Sequence, residues 1–169
     1  MPGSPRPPSL LALHSYLASQ VAKYGTRHLE ATLERHGLLL GHHAILTALD
    51  DFGPASQREL AGYLRIDKSH LSVRIDHLEA AGLVTRTPDP QDRRRHRVVL
   101  GEAGRVLLDR LHAAARVSQR PLLDPLTDAE RLTLETLLRR VLDANDQAGE
   151  EGGAPGTSAP ASDGKERQK

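Results

Sequence analysis

Residues 56–101 read SQRELAGYLRIDKSHLSVRIDHLEAAGLVTRTPDPQDRRRHRVVLG. Ser56-Gln57-Arg58-Glu59 has the spacing of a capping box, in which the Ser56 hydroxyl takes the amide of Glu59 and the Glu59 carboxylate returns to the amide of Ser56. The helix opened there turns Leu60, Ala61 and Leu64 inward. After a three-residue turn, Arg65-Ile66-Asp67, Asp67 caps a second short helix, with Ile66 and Leu71 at the two staple positions. Leu71, Ile75 and Leu78 form its buried stripe and Gly82 closes it. The period then changes. Leu83 to Thr87 and His96 to Leu100 are β-rich runs, separated by a Pro88–Arg95 loop whose two prolines should not pair as strand. Two short helices followed by a hairpin with a basic tip describe a winged helix-turn-helix, which sets one helix in a DNA major groove.

Helical geometry selects the residues that would read DNA. With Leu71, Ile75 and Leu78 inward, steps of 100° put Ser69, His70, Val73, Asp76 and His77 on the outward half, with Ser72 and Arg74 on the flanks. Ser69, His70 and Ser72 lie near the helix N-terminus, where free amides and the dipole favour phosphate and short hydroxyls reach base edges. Val73 is suited to a thymine methyl and Arg74 to a phosphate. Arg93, Arg94, Arg95 and Arg97 fall within five positions of the wing, with Arg86 on the opposing strand and only Asp89 and Asp92 against them. One guanidinium would lie in a narrow minor groove while others bind phosphate, and Asp92 would hold the tip by pairing with a neighbouring arginine. Asp76 and Glu79 place negative charge near this surface, and Asp76 is expected to pair with an arginine of the same subunit.

The flanks are leucine-rich helices. Leu10, Leu13, Leu17, Val21 and Tyr24 recur at three- and four-residue steps along a first helix that continues through Leu29 and Leu33 to a stop at Gly37. A helix over about Gly41 to Asp51 turns Ile45, Leu46 and Leu49 inward before the Phe52-Gly53-Pro54 turn. Beyond the wing, a helix runs from about Glu102 to Gln119, with Pro121 and Pro125 marking the break. A second capping box, Thr127 to Glu130, opens a last helix whose Leu132, Leu134, Leu137, Leu138, Val141 and Leu142 ask for burial on more than one side. Apolar stripes at opposite ends of a DNA-reading unit favour an intersubunit bundle over an intrachain core. The fold class is therefore mainly α with a small β-hairpin wing, a winged helix-turn-helix in an elongated helical homodimer. It divides into a disordered tail over 1–9, a dimerisation helix over 10–36, the DNA-binding domain over 37–101, C-terminal dimerisation helices over 102–146 and a disordered tail over 147–169.

The 169 residues include 23 Lys plus Arg against 22 Asp plus Glu, so attraction to nucleic acid must come from local charge placement. The absence of cysteine excludes disulfides, thiolate metal sites, thiol nucleophiles and thiol redox sensing. One Phe, three Tyr and no Trp leave few stacking platforms for single strands. No apolar run approaches a membrane span and the N-terminus is a poor signal peptide, so a cytoplasmic protein is expected.

The stretch from Leu60 to Gly101 resembles the MarR (multiple antibiotic resistance regulator) family. Asp67-Lys68-Ser69, Leu78-Glu79-Ala80-Ala81-Gly82-Leu83-Val84 and Asp89-Pro90-Gln91-Asp92-Arg93-Arg94 match its usual strings in order and spacing, and the likeness extends over roughly Leu10 to Asn145. The resemblance implies that Lys68 to Glu79 is the recognition helix, that Ser69, His70 and Ser72 contact DNA, and that Asp92 and Arg94 form the wing-tip pair of the family's Asp-x-Arg element. Val73 stands where many members carry Arg, and Gly101 where Thr usually caps the next helix. A homodimer on a pseudo-palindromic duplex operator is implied. So is regulation by a small anionic or phenolic effector between the dimer helices and the DNA-reading lobe, where His14, Tyr16, Tyr24, His36, His43 and Arg65 are the polar or aromatic candidates.

Other functions fit less well. His42 and His43 are neighbours on one helix, about 100° apart, and are not expected to share a metal ion even with His36 and His112 near. Neither a phosphate loop, a nucleophile elbow nor a carboxylate pair marks an enzyme, and no cofactor is expected. The reading is a sequence-specific double-stranded-DNA-binding regulator, a repressor relieved by the effector. The rivals are a winged-helix protein-interaction module with the wing as its docking surface and a metal-responsive regulator of the same fold.

Overall fold

The computed structural model describes residues 5–92 and 94–151. The elements are α1 (Pro8–Leu11), α2 (His14–Glu34), α3 (Leu40–Phe52), α4 (Gln57–Leu64), α5 (Lys68–Ala80), β1 (Val84–Pro88), β2 (His96–Leu100), α6 (Glu102–Leu123) and α7 (Asp128–Glu151). The chain separates into two compact units, the first ending at Pro125 and the second beginning at Leu126 and holding α7.

In the first unit one aliphatic core joins α2, α3, α4, α5, the hairpin and α6. Leu33, Leu38, Ile45, Leu46, Leu60, Leu71, Ile75, Leu78, Val84, Val98, Leu108 and Leu111 are all buried in it. Burial is what holds α5 as a helix. Ser69, His70, Ser72, Val73, Asp76 and His77 are indifferent helix formers, together about 3 kcal/mol worse than alanine. Complete burial of Leu71, Ile75 and Leu78 returns roughly 6 kcal/mol.

β1 and β2 pair antiparallel with Val84 opposite Leu100 and Arg86 opposite Val98, and Ala55 adds a single bridge to Val98. Pro88, expected in the loop, instead ends β1 opposite His96. The bonds from Gly101 N–H to Leu83 and from Asp89 N–H to Arg95 put the hydrogen-bonded pairs at odd positions of β1. Pro88 thus occupies a non-hydrogen-bonded position, where its missing N–H costs the ladder nothing.

Three boundaries differ from the periodicity. The first helix is broken: Pro8 and Ser9, expected in a disordered tail, form the turn α1 with Leu10 and Leu11, and α2 starts only at His14. Pro121 lies inside α6, which runs on to Leu123. A mid-helix proline costs about 3 kcal/mol, and the contacts flanking it, Ser118 on His28 and Leu122 beside Gly25, tie that turn to α2. Finally, α7 passes Gln147 and reaches Glu151. Pro5, Arg6 and Pro7 precede α1 without regular structure, and residues 1–4 and 152–169 of the two expected tails lie outside the described residues. Among the described residues, no helix is long and apolar enough to cross a membrane.

Candidate nucleic-acid interface

The helix pair forms on its start signals. Ser56 Oγ accepts the Glu59 N–H at 3.2 Å while Glu59 Oε2 accepts the Ser56 N–H at 2.7 Å, closing the capping box of α4. Arg65 ends α4 in the left-handed region at φ 49°. At the start of α5, Asp67 Oδ1 accepts both the N–H and the hydroxyl of Ser69, at 2.7 and 2.5 Å. These bonds hold the Asp67 carboxyl below its ordinary pKa, and the Ser56 bonds do the same for Glu59. The Ser69 hydroxyl therefore gives its proton to the cap and offers its lone pairs outward.

On α5, Lys68, Ser69, His70, Val73, Asp76 and His77 are exposed, Val73 to 69%, whereas Ser72 and Arg74 are half-buried. Two residues of this set are engaged by α3. The His77 ring stacks on His42 with centroids 4.9 Å apart, and the Arg74 guanidinium lies against Gly41, where a Cβ would stand 2.7 Å from its Cζ. Arg74, expected on the flank as a phosphate ligand, is half-buried with its guanidinium against the start of α3. His42 is buried and its Nδ1 accepts the Leu39 N–H at 2.9 Å, so it caps its own helix. Burial, then the charges of His77 and Arg74, push its pKa down.

The wing arginines divide into two groups. Arg86 turns back from β1 and donates to Asp76 and Glu79 of α5, while its backbone N–H bonds Glu79 Oε1 at 3.0 Å. Burial opposes its charge, but the two carboxylates outweigh this and its pKa is raised. Arg97 also points inward. Its Nη2 lies 3.7 Å from Glu59 Oε2, and its Nε is buried without a hydrogen-bond partner. Arg86 and Arg97, expected at the DNA, instead fasten the hairpin to α5 and α4. Arg94 and Arg95 are exposed at the tip. Asp92 shapes that tip by a different pairing from the expected one: its Oδ1 takes only the backbone N–H of Arg94, at 3.1 Å, and its ion pair is with Arg95 Nε at 3.3 Å. Among the described residues, the Arg94 side chain forms no ion pair. Arg93 lies outside the described residues.

The six effector candidates stand in different surroundings. His14 and His36 are exposed, and Arg65 is the helix cap. His43 is half-buried against Thr47 and His112, and burial followed by the His112 charge lowers its pKa. Tyr16 lies beneath the Arg6 guanidinium, 6.0 Å from CZ to ring centroid. Tyr24 lines a cavity together with Arg27, His28 and Ser118, which the sequence did not single out. No cluster of three or more metal-ligating side chains occurs among the described residues.

The profile of the MarR family matches residues 38–96, the segment from just before α3 to the start of β2. The chain is 30% identical over 126 residues to the helix-turn-helix transcriptional regulator PecS of Dickeya dadantii, a match spanning 73% of this chain and 76% of PecS. The chain belongs to the MarR family. It is also 38% identical over 104 residues to the transcriptional repressor NicR of Pseudomonas putida, over 62% of this chain and 66% of NicR, just under two thirds of that relative's length. Two solved structures of the family's kind superpose closely. BpsR of Bordetella bronchiseptica, described with regulation of its DNA binding by 6-hydroxynicotinic acid, gives a TM-score of 0.70 at 26% identity over 83% of this chain and 99% of BpsR. A MarR variant from E. coli complexed with operator DNA gives 0.67 at 27% identity, over 76% of this chain and 92% of that one.

Proposed function

We propose that this MarR-family chain is a cytoplasmic, homodimeric repressor of transcription that binds a pseudo-palindromic duplex operator and releases it on binding a small aromatic acid. The observation that carries the DNA reading is the two-sidedness of α5. Leu71, Ile75 and Leu78 are fully buried while Ser69, His70 and Val73 stand exposed at its N-terminal half, beside a wing tip that displays Arg94 and Arg95. Ser69, His70 and Val73 then meet base edges in the major groove, Lys68 and Arg95 meet phosphates, and Arg94 enters the flanking minor groove. The operator complex of the MarR neighbour supports this assignment, and NicR's name supports repression.

Homodimerisation is supported by apolar surface left open in this chain. Leu13, Leu17 and Val21 of the N-terminal region and Leu132, Leu138, Val141 and Leu142 of α7 are exposed, in residue types that rarely remain so in such number. Effector control is supported by the 6-hydroxynicotinic acid of the BpsR description, and an acid can act only by binding differently to the DNA-fitted and misfitted states.

The test is selection of bound duplexes from a random pool, followed by titration of wild type, Arg94→Ala and Ser69→Ala/His70→Ala proteins against the selected site. With three to five phosphates neutralised per subunit, log Kd should vary with log salt at a slope of magnitude about 5 to 9 for the dimer. Each variant should lose at least tenfold in affinity while remaining a folded dimer. Failure to enrich any duplex, or a slope near zero, rejects the DNA reading in favour of a docking module.

A further inference from the structure

We infer that His42 is a positioning residue for α5: its unprotonated Nδ1 holds the first turn of α3, that turn holds α5 at Arg74 and His77, and a proton on Nδ1 weakens operator binding. This inference rests on the DNA reading above and adds to it a residue that faces away from DNA and a dependence on acid.

The bond that fixes the protonation state has one reading. His42 is the third residue of α3 and is buried. Its Nδ1 lies 2.9 Å from the backbone nitrogen of Leu39, the residue before the helix. A peptide nitrogen can only donate, so Nδ1 accepts, carries no proton, and leaves the hydrogen of the neutral ring on Nε2. The third position of a helix is where a capping box places Glu or Gln to take this same N–H. Histidine alone of the three has an unperturbed pKa near neutrality. A proton on Nδ1 turns the acceptor into a second donor, and the Leu39 N–H loses its partner. Burial favours the neutral form, so the cap is the state present at pH 7.5.

The same turn is the part of α3 that grips the far side of α5. The His77 ring lies on the His42 ring and the Arg74 guanidinium lies against Gly41, so residues about one turn apart on α5 meet neighbours on α3. The charges that act on His42 are those of His77 and Arg74, and both oppose its protonation. On the other elements packed against α3, the charged groups are engaged elsewhere or set apart. Glu30 and Glu34 of α2 line a cavity over Leu39, Leu40 and Gly41. From α6, His112 meets His43 and Arg105 meets Asp50, while Glu59 of α4 and Arg97 of β2 face each other. A cationic His42 is thus repelled by the two residues through which α3 holds α5. Ser69, His70 and Val73 ride on that helix, and a change in its seating moves all three relative to the base edges.

The experiment is operator affinity at constant salt from pH 7.5 to 5.0, by fluorescence anisotropy, for full-length wild type, His42→Gln and His42→Leu. Circular dichroism is taken on the same samples, and the Leu39 amide resonance is followed by NMR without DNA. His70, His77 and His96 are exposed, and protons on them favour phosphate in every protein, so the ratio of wild type to His42→Gln is what is read. At pH 7.5 glutamine keeps the cap and should bind within about threefold of wild type. Leucine has no acceptor and should bind about tenfold more weakly. By pH 5.0 wild type should have lost at least about fivefold relative to His42→Gln. The Leu39 amide should shift with pH in wild type and stay in place in His42→Gln. Parallel affinity profiles for these two folded proteins, or a Leu39 amide that does not titrate, overturn the inference, and operator binding at pH 7.5 in the same series leaves the DNA reading standing. A folded His42→Leu that binds as wild type does overturns it too; if that variant does not fold, the His42→Gln profile carries the test. Failure of wild type to bind any duplex at pH 7.5 rejects the DNA reading and this inference with it.

Discussion

Replacing Arg86 by Met separates two roles that the wing's arginine run leaves entangled. The Arg86 side chain is 23% exposed, its partners Asp76 and Glu79 61% and 37%. The Asp76 contact is thus largely solvent-screened and is worth at most about 1 kcal/mol. The half-shielded Glu79 bond is worth about 1 to 2 kcal/mol. Arg86→Met should therefore destabilise the fold by about 2 kcal/mol in urea denaturation, leaving a folded protein. The larger effect is on DNA. Two carboxylates on the groove-facing helix lose their cation, and at about 8 Å from a phosphate each unscreened repulsion is about 0.5 kcal/mol in water. Over two subunits, with salt screening, the expected loss is about tenfold in operator affinity. The assay is fluorescence anisotropy on the selected operator at several salt concentrations, for Arg86→Met and for the triple variant in which Asp76→Asn and Glu79→Gln accompany it. Neutralising the carboxylates should restore affinity to within about threefold of wild type. A triple variant as weak as the single one, with the salt slope shallower by about 1.8 for the dimer, would mean that Arg86 is itself a phosphate ligand and would refute the assignment.

Three further outcomes follow from the same contacts. A Cβ at Gly104 would fall 2.2 Å from the Leu83 carbonyl oxygen and 2.7 Å from Leu100 Cδ1, so Gly104→Ala should lower stability by about 2–3 kcal/mol despite alanine's better helix propensity, measured by urea midpoint; a neutral result would show that α6 and the hairpin are not in contact. Ser56→Ala removes one half of the α4 capping box and should cost about 1 kcal/mol in thermal denaturation, and an unchanged melting curve would count against the box. His42 and His43 have folded pKa values below the ordinary 6.5. The unfolded chain therefore takes up protons first as pH falls through about 6.5, so stability declines from there until the lowered folded pKa values are passed. Urea midpoints at pH 7.5 and 5.5 should differ, the difference should shrink in His43→Leu, and a pH-independent midpoint would exclude the effect.

Most of the fold was legible because its signals are local. Ser56 with Glu59, and Asp67 before Leu71, name helix starts within four residues, and the inward stripe of α5 follows from spacing alone. The helix ends were read less well, because proline and periodicity state a preference that packing can override: Pro121 stays helical where Ser118 and Leu122 are docked on α2. The candidate interface was legible on α5 and only half legible on the wing. Counting arginines identified a basic hairpin but not the direction of each side chain. Strand alternation held part of the answer, since Arg86 shares its face with the buried Val84 and stands opposite Val98. It therefore turns toward the body of the subunit, where Asp76 and Glu79 wait. The His28–Ser118 contact spans 90 positions and had no local signature. Arg74 likewise looked free on a helical wheel, which contains no information about Gly41 of α3.

The Leu83 carbonyl oxygen is gripped from two directions, by the Gly101 N–H at 2.9 Å and by the bare backbone of Gly104. The root of the finger and the first turn of the long helix after it consequently behave as one welded joint, with no side chain between them to shear. Any tilt imposed along α6 is transmitted to the arginine tip as a swing of a rigid lever, its arm the length of the hairpin.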